Sequence, residues 1–208
     1  MLNPMKPLRR TLKLSLAAAV IAALSACGGG SNPLGNPAPV NNPALSGGQN
    51  LSFVYFQKCI NPIFLSLLPT PGSATGASNS CASTGCHNHI TGAGGAFRIV
   101  PGALPLDLSL ASNTPDVIRH SDMYKNFYTA QSETVIGDSA QSRLLNKPLL
   151  LGVLHGGGLI FASASDANVL ALKYWVSHPM PSGQDEFSSA ANAMFTPTDP
   201  LAGSCNTL

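Results

Sequence analysis

The chain has 208 residues, with eleven Lys and Arg against nine Asp and Glu, and charged side chains make up only 10% of it. That is well below the quarter a soluble domain usually carries. Lys6, Arg9, Arg10 and Lys13 account for four of the eleven cations and precede every anion, so the remainder carries seven against nine, a formal charge of −2. No basic patch is left to bind nucleic acid or an anionic lipid surface, and the chain beyond residue 49 is long enough for one core but not two.

The basic start leads into residues 14–24, an apolar run of Leu, Ala, Val and Ile. It is too short to span a bilayer, which takes roughly 20 apolar residues. It ends in Leu24-Ser25-Ala26-Cys27, small residues before a cysteine. This arrangement resembles the lipobox of bacterial lipoproteins. The resemblance implies that residues 1–26 are a removed signal peptide and that Cys27 carries a diacylglycerol thioether and an acylated amino group. Several acyl chains together anchor firmly where one binds only marginally. Gly28 stands where an aspartate would resemble an inner-membrane retention signal, so the resemblance implies the outer membrane, facing the periplasm. Residues 27–49 are rich in Gly, Pro, Asn and Ser and hold no charge, a composition that cannot bury a core and serves as a flexible tether.

Residues 51–60 suit a short helix with Phe53, Phe56 and Ile60 on one side. Residues 62–80 are turn-rich, with Pro69, Pro71, Gly72 and Gly76. The cysteine segment follows, and then GAGGAFRI (92–99), a loop leading into a short extended piece. Pro115 suits a first helical turn, opening a helix expected to run through Val117, Ile118, Met123, Tyr124 and Phe127. A second helix is expected over 139–145, stopped by Pro148. The last strong element starts at Ser163 or Ser165, where Ser163 and Asp166 have capping-box spacing. It lays Val169, Leu170, Leu172, Tyr174 and Val176 in an apolar stripe, with Trp175 at its edge, and His178-Pro179 ends it. With no internal repeat and little strand alternation, residues 50–180 are expected to form a mainly α domain with long loops. A polar tail, 181–208, is expected to wrap its surface.

With Cys27 assigned to lipid, Cys59, Cys81, Cys86 and Cys205 remain. An oxidising compartment favours disulfides or covalent cofactor attachment for them over free thiols. The informative segment is Cys81-Ala-Ser-Thr-Gly-Cys86-His87. It is similar to c-type haem attachment sites, in which two thiols add to the haem vinyl groups and the adjoining histidine becomes the proximal iron ligand. The common form has two residues between the cysteines; the four found here are a rarer variant, also present in multihaem cytochromes. Two other readings stay open: a local Cys81–Cys86 disulfide with His87 merely adjacent, and zinc held by Cys81, Cys86, His87 and His89. Cys59 and Cys205 are expected to pair and tie the first helix to the tail.

Around this segment, NPIF (61–64) precedes, GAGGAFRI follows, and SRLLNKPLL (142–150), LHGGGLIF (154–161) and LALKYW (170–175) come in order. The order resembles the cytochrome c-like domains of many bacterial lipoproteins, over residues 53–176. The resemblance implies covalent haem c and a cytochrome c-like helical fold, whose first and last helices cross beside the haem and carry Phe53/Phe56 and Leu172/Trp175. For the sixth iron ligand, His155 comes first, because the glycines after it let backbone approach a flat cofactor; Met180, in HPMP, is its rival. Arg98 is expected to pair with a haem propionate, since guanidinium matches carboxylate geometry. No nucleophile elbow, phosphate-binding loop or His-Glu-x-x-His helix is present, so an electron carrier rather than an enzyme is expected. It would be a membrane-anchored monohaem c-type cytochrome serving a redox partner protein in the envelope. The alternative is a non-redox lipoprotein module, held by Cys81–Cys86 and Cys59–Cys205 disulfides, that binds another envelope component.

Overall fold

The computed structural model describes residues 49–69 and 78–208. The expected signal peptide, the lipid site Cys27 and the tether up to residue 48 lie outside the described residues.

The first helical stretch starts where the Ser52 hydroxyl accepts from the Tyr55 N–H, capping α1, Phe53–Tyr55. It widens into a π turn, Phe56–Ile60, in which the Asn61 N–H donates to the Phe56 carbonyl, and resumes as α2, Asn61–Leu65. The wide turn falls directly before Pro62, which has no N–H to donate and whose ring would crowd the carbonyl four residues back in regular α geometry. Phe53, Tyr55, Phe56 and Ile60 are all fully buried as a result. Two short antiparallel strands follow, β1 Leu68–Pro69 against β2 Ser78–Asn79.

The helix expected from Pro115 divides in two. α3, Pro115–Arg119, ends at His120, and α4, Asp122–Ser132, begins afresh because the Ser121 hydroxyl accepts from the Tyr124 N–H. A serine side chain that takes a backbone donor in this way favours a helix start over a helix interior. α5 is only Arg143–Asn146, since Ser142 commits its hydroxyl to Val135 and Asp138 of the preceding turn. α6, Ala167–Ser177, starts from Asp166, whose carboxylate accepts from the Asn168 N–H, rather than from Ser163 or Ser165.

The core sits where the π turn meets α4 and α6. Phe56 packs against Phe127 at 5.5 Å, edge to face, and against Trp175 at 5.4 Å. The indole N–H of Trp175 donates to the Ser52 carbonyl, which satisfies the one polar atom of a fully buried ring. Residues 181–208 do not simply wrap the surface. A 3-10 helix, Ser189–Met194, and the ladder of β3 Phe195–Thr196 with β4 Ser204–Cys205 bring Ala191, Met194 and Phe195 into the core. Cys205 is bonded to Cys59, and Lys58 donates to the carbonyls of Pro200, Leu201 and Gly203 beside that bridge.

The mainly α, cytochrome c-like fold expected from the sequence is therefore corrected. The first helical stretch and α6 do meet through Phe56 and Trp175, but the rest is a mixed, loop-rich arrangement. Among the described residues only α4 and α6 exceed six residues, at eleven each. No helix stands between β2 and Pro115; residues 80–114 are turns and isolated bridges, such as Asn88 with Ile99. The physical reason lies in that stretch's glycines and prolines, which break helices and whose turns close on local hydrogen bonds instead. No helix among the described residues is long and apolar enough to cross a membrane.

Candidate functional site

The cysteine segment folds into a tight turn. The His87 N–H donates to the Cys81 carbonyl at 2.9 Å, and Gly85 takes φ +82°, a left-handed conformation that glycine adopts without strain. Residues 87–89 then bridge to the extended piece at Ile99: the Ile99 N–H donates to the His87 carbonyl at 2.7 Å and the His89 N–H to the Ile99 carbonyl at 2.9 Å. This fixes the imidazole of His87, whose Nδ1 lies 3.0 Å from the Phe97 carbonyl. A carbonyl can only accept, so Nδ1 carries the proton and Nε2 keeps its lone pair.

A second loop supplies His155. It leaves α5 at Pro148 and is closed by the Ile160 N–H, which donates to the Pro148 carbonyl at 2.8 Å. His155 Nδ1 lies 2.8 Å from the Gly158 carbonyl, so it too keeps Nε2 free. The two imidazoles have centres 6.2 Å apart and planes within 11° of parallel. Each ring is backed by a glycine. A Cβ at Gly94 would fall 2.5 Å from His87 Cε1 and nearer still to Nδ1, and one at Gly157 would fall 3.1 Å from His155 Cε1.

Both imidazoles line an inner chamber of about 60 Å³, walled by Phe64, Phe97, Leu144, Phe161 and Leu172, and an outer trough of about 410 Å³ bordered by glycines and Leu154. Cys81 lines the chamber and Cys86 the trough; both thiols are free. Burial, with the neighbouring Cys86 second, pushes the Cys81 thiol up to about 11, so it is protonated at neutral pH. Burial also lowers the pKa of His87. The Phe97 carbonyl opposes this, while the nearby His155, Lys147 and Arg98 add to it.

The structure thus brings Cys81, Cys86, His87 and His155 to two pockets that share both imidazoles and leaves the other candidates elsewhere. Met180 is buried, its N–H donating to the Asn50 carbonyl, and it lines neither part of the cavity. Arg98 also lines neither part; its Nη1 donates to the Gly92 carbonyl and, at 3.5 Å, to that of Asn88. His89 is exposed. Among the described residues no three His, Cys, Asp or Glu side chains gather as a metal site, which corrects the zinc reading, because structural zinc takes four such ligands. The aromatic walls and the cations Arg143 and Lys147 were not singled out from the sequence, although the SRLLNKP segment that carries both cations was. No protein-family model, curated protein or solved structure matches the chain.

Proposed function

We propose that this chain is an envelope electron carrier with one covalently attached haem, c-type in its attachment and not in its fold. The observation that carries the reading is the pair of near-parallel imidazoles, each with Nδ1 committed to a carbonyl and Nε2 free, facing one apolar cavity beside two free thiols. Ring centres 6.2 Å apart leave room for one metal ion between the imidazoles, given metal–nitrogen distances of about 2.0–2.1 Å. A carbonyl on the far nitrogen is the usual means of orienting a ligating histidine. Haem iron needs only two protein ligands, so the absence of a larger ligand group does not weigh against it.

Cys81 and Cys86 would each add across one vinyl group: a sulfur–carbon bond forms, the thiol proton goes to the neighbouring vinyl carbon, and no oxidant or leaving group is needed. His87 and His155 would hold the iron, and two imidazoles set a lower potential than an imidazole with a thioether. Phe64, Phe97, Phe161 and Leu172 would keep water from the ring. When bound, the haem supplies a reversible one-electron couple. The lipobox-like residues before Cys27 support anchoring to a membrane, with the outer membrane's periplasmic face favoured by Gly28, and a redox protein of the envelope would be the partner. The Cys59–Cys205 disulfide is common to this reading and to a non-redox module, so it does not separate them.

The test is denaturing electrophoresis of the full chain made alongside periplasmic haem-attachment machinery, followed by a peroxidase stain. A stained band is expected, lost in the C81A/C86A double variant. A colourless wild-type band would overturn the reading.

A further inference from the structure

Arg143 and Lys147 stand one turn apart across α5, and both line the inner chamber with the two imidazoles; Lys147 also borders the outer trough. The ion pairs among the described residues are Arg119–Glu186, His120–Asp116 and Lys125–Asp122, none of which uses either cation. Neither side chain has a hydrogen-bond partner among the described residues. One carboxylate, Glu133, lines the same chamber, and it lies within 4 Å of neither. Arg143 is exposed and Lys147 half-buried, so the two unpaired cations stand at the solvent edge of a pocket walled by Phe64, Phe97 and Phe161, where an anion seated against those walls is attracted more strongly than in open water. Arg98, the choice for an anion from the sequence, lines neither the chamber nor the trough, and its Nη1 donates to the Gly92 carbonyl.

We propose that Arg143 and Lys147, rather than Arg98, hold the two carboxylates of the group that fills this cavity, the propionates of haem. The proposal rests on the haem reading above. Guanidinium offers a fork matched to one carboxylate, and the lysine ammonium a mobile point charge for the other. The assignment also gives the cations a part in setting the potential, because positive charge near the iron favours the ferrous state.

The experiment compares R143Q, K147Q and R98Q in the haem-bearing full chain by two readouts, the propionate bending bands in the resonance Raman spectrum and the midpoint potential. R143Q and K147Q are each expected to shift a propionate band and lower the potential, with the low-spin spectrum retained, while R98Q leaves both unchanged. The charge-keeping variants R143K and K147R separate lost charge from a disturbed fold: their potentials should stay near wild type. Covalent haem with unmoved propionate bands in R143Q and K147Q would overturn the proposal and leave the haem reading intact, as would a band shift in R98Q alone. A fall in potential in R143K and K147R as large as in the glutamine variants would also overturn it. Absence of haem from every protein would overturn both.

Discussion

Replacing Gly94 by alanine should displace His87. The added Cβ would lie 2.5 Å from Cε1 of the ring and 2.8 Å from the Cys86 carbonyl oxygen, where carbon atoms rest at about 3.5–4.0 Å. The ring must therefore move by about 1 Å, and its 3.0 Å hydrogen bond to the Phe97 carbonyl breaks. Overpacking of this kind costs about 1–3 kcal/mol, and the lost hydrogen bond adds about 0.5–1.5 kcal/mol. Gly95→Ala is the matched control. Its φ of +79° carries strain, but a Cβ there meets nothing within 4 Å, so the cost is about 1–2 kcal/mol. Urea unfolding of the full chain, followed by far-UV circular dichroism, should place G94A below G95A by about 1.5 kcal/mol, the difference between the middle values of the two costs, about 3 and about 1.5 kcal/mol. A G94A protein as stable as G95A would refute the packing of His87 on Gly94.

The Cys59–Cys205 bridge closes a separation of 146 residues, so C59A/C205A should lose up to about 5 kcal/mol on the chain-entropy model; a thermal melt showing less than about 1 kcal/mol lost would contradict this. Burial of Glu186 works to raise its pKa. The Arg119 guanidinium, a backbone N–H and the Tyr124 hydroxyl outweigh it and hold the carboxyl below its ordinary value. That stabilisation is present above the unfolded-state value, about 4.3, and is lost as pH falls through the lower folded one. E186Q should be less stable at neutral pH by about 1.5–3 kcal/mol, with the gap closing below pH ~4; denaturant midpoints against pH check it, and a constant gap would count against the Arg119–Tyr124 clasp. Cys27→Ala should abolish palmitate labelling and leave an uncleaved precursor; labelling and fractionation like wild type would remove the lipoprotein reading.

What the sequence made legible is local. Trp175 and the apolar stripe of α6 follow from spacing, and His87 and His155 stand out beside a cysteine and a glycine run. The contacts that bring them to one cavity are not local. They depend on the Ile160 N–H closing the 148–160 loop onto Pro148 and on residues 87–89 bridging to Ile99, neither of which has a periodic signature. Arg98 shows the limit of residue type alone: guanidinium suits a carboxylate, but the turn over residues 88–92 presents carbonyls within its reach first. The tail misled by composition, since its polar residues surround the few, Ala191, Met194 and Phe195, that complete the core. The expected long helices failed where Ser121 and Ser142 took backbone partners that end one element and start another. A helical count built on apolar spacing does not register such capping.

The ferric electron paramagnetic resonance spectrum of the full chain, produced with haem-attachment machinery, tests the central claim most directly. Two imidazoles on one iron predict a single low-spin ferric haem per chain, converting to a high-spin signal in H155A and unchanged in M180A. A wild-type protein with no haem signal, or one that is high-spin before any substitution, would contradict the assignment of His87 and His155 as a ligand pair.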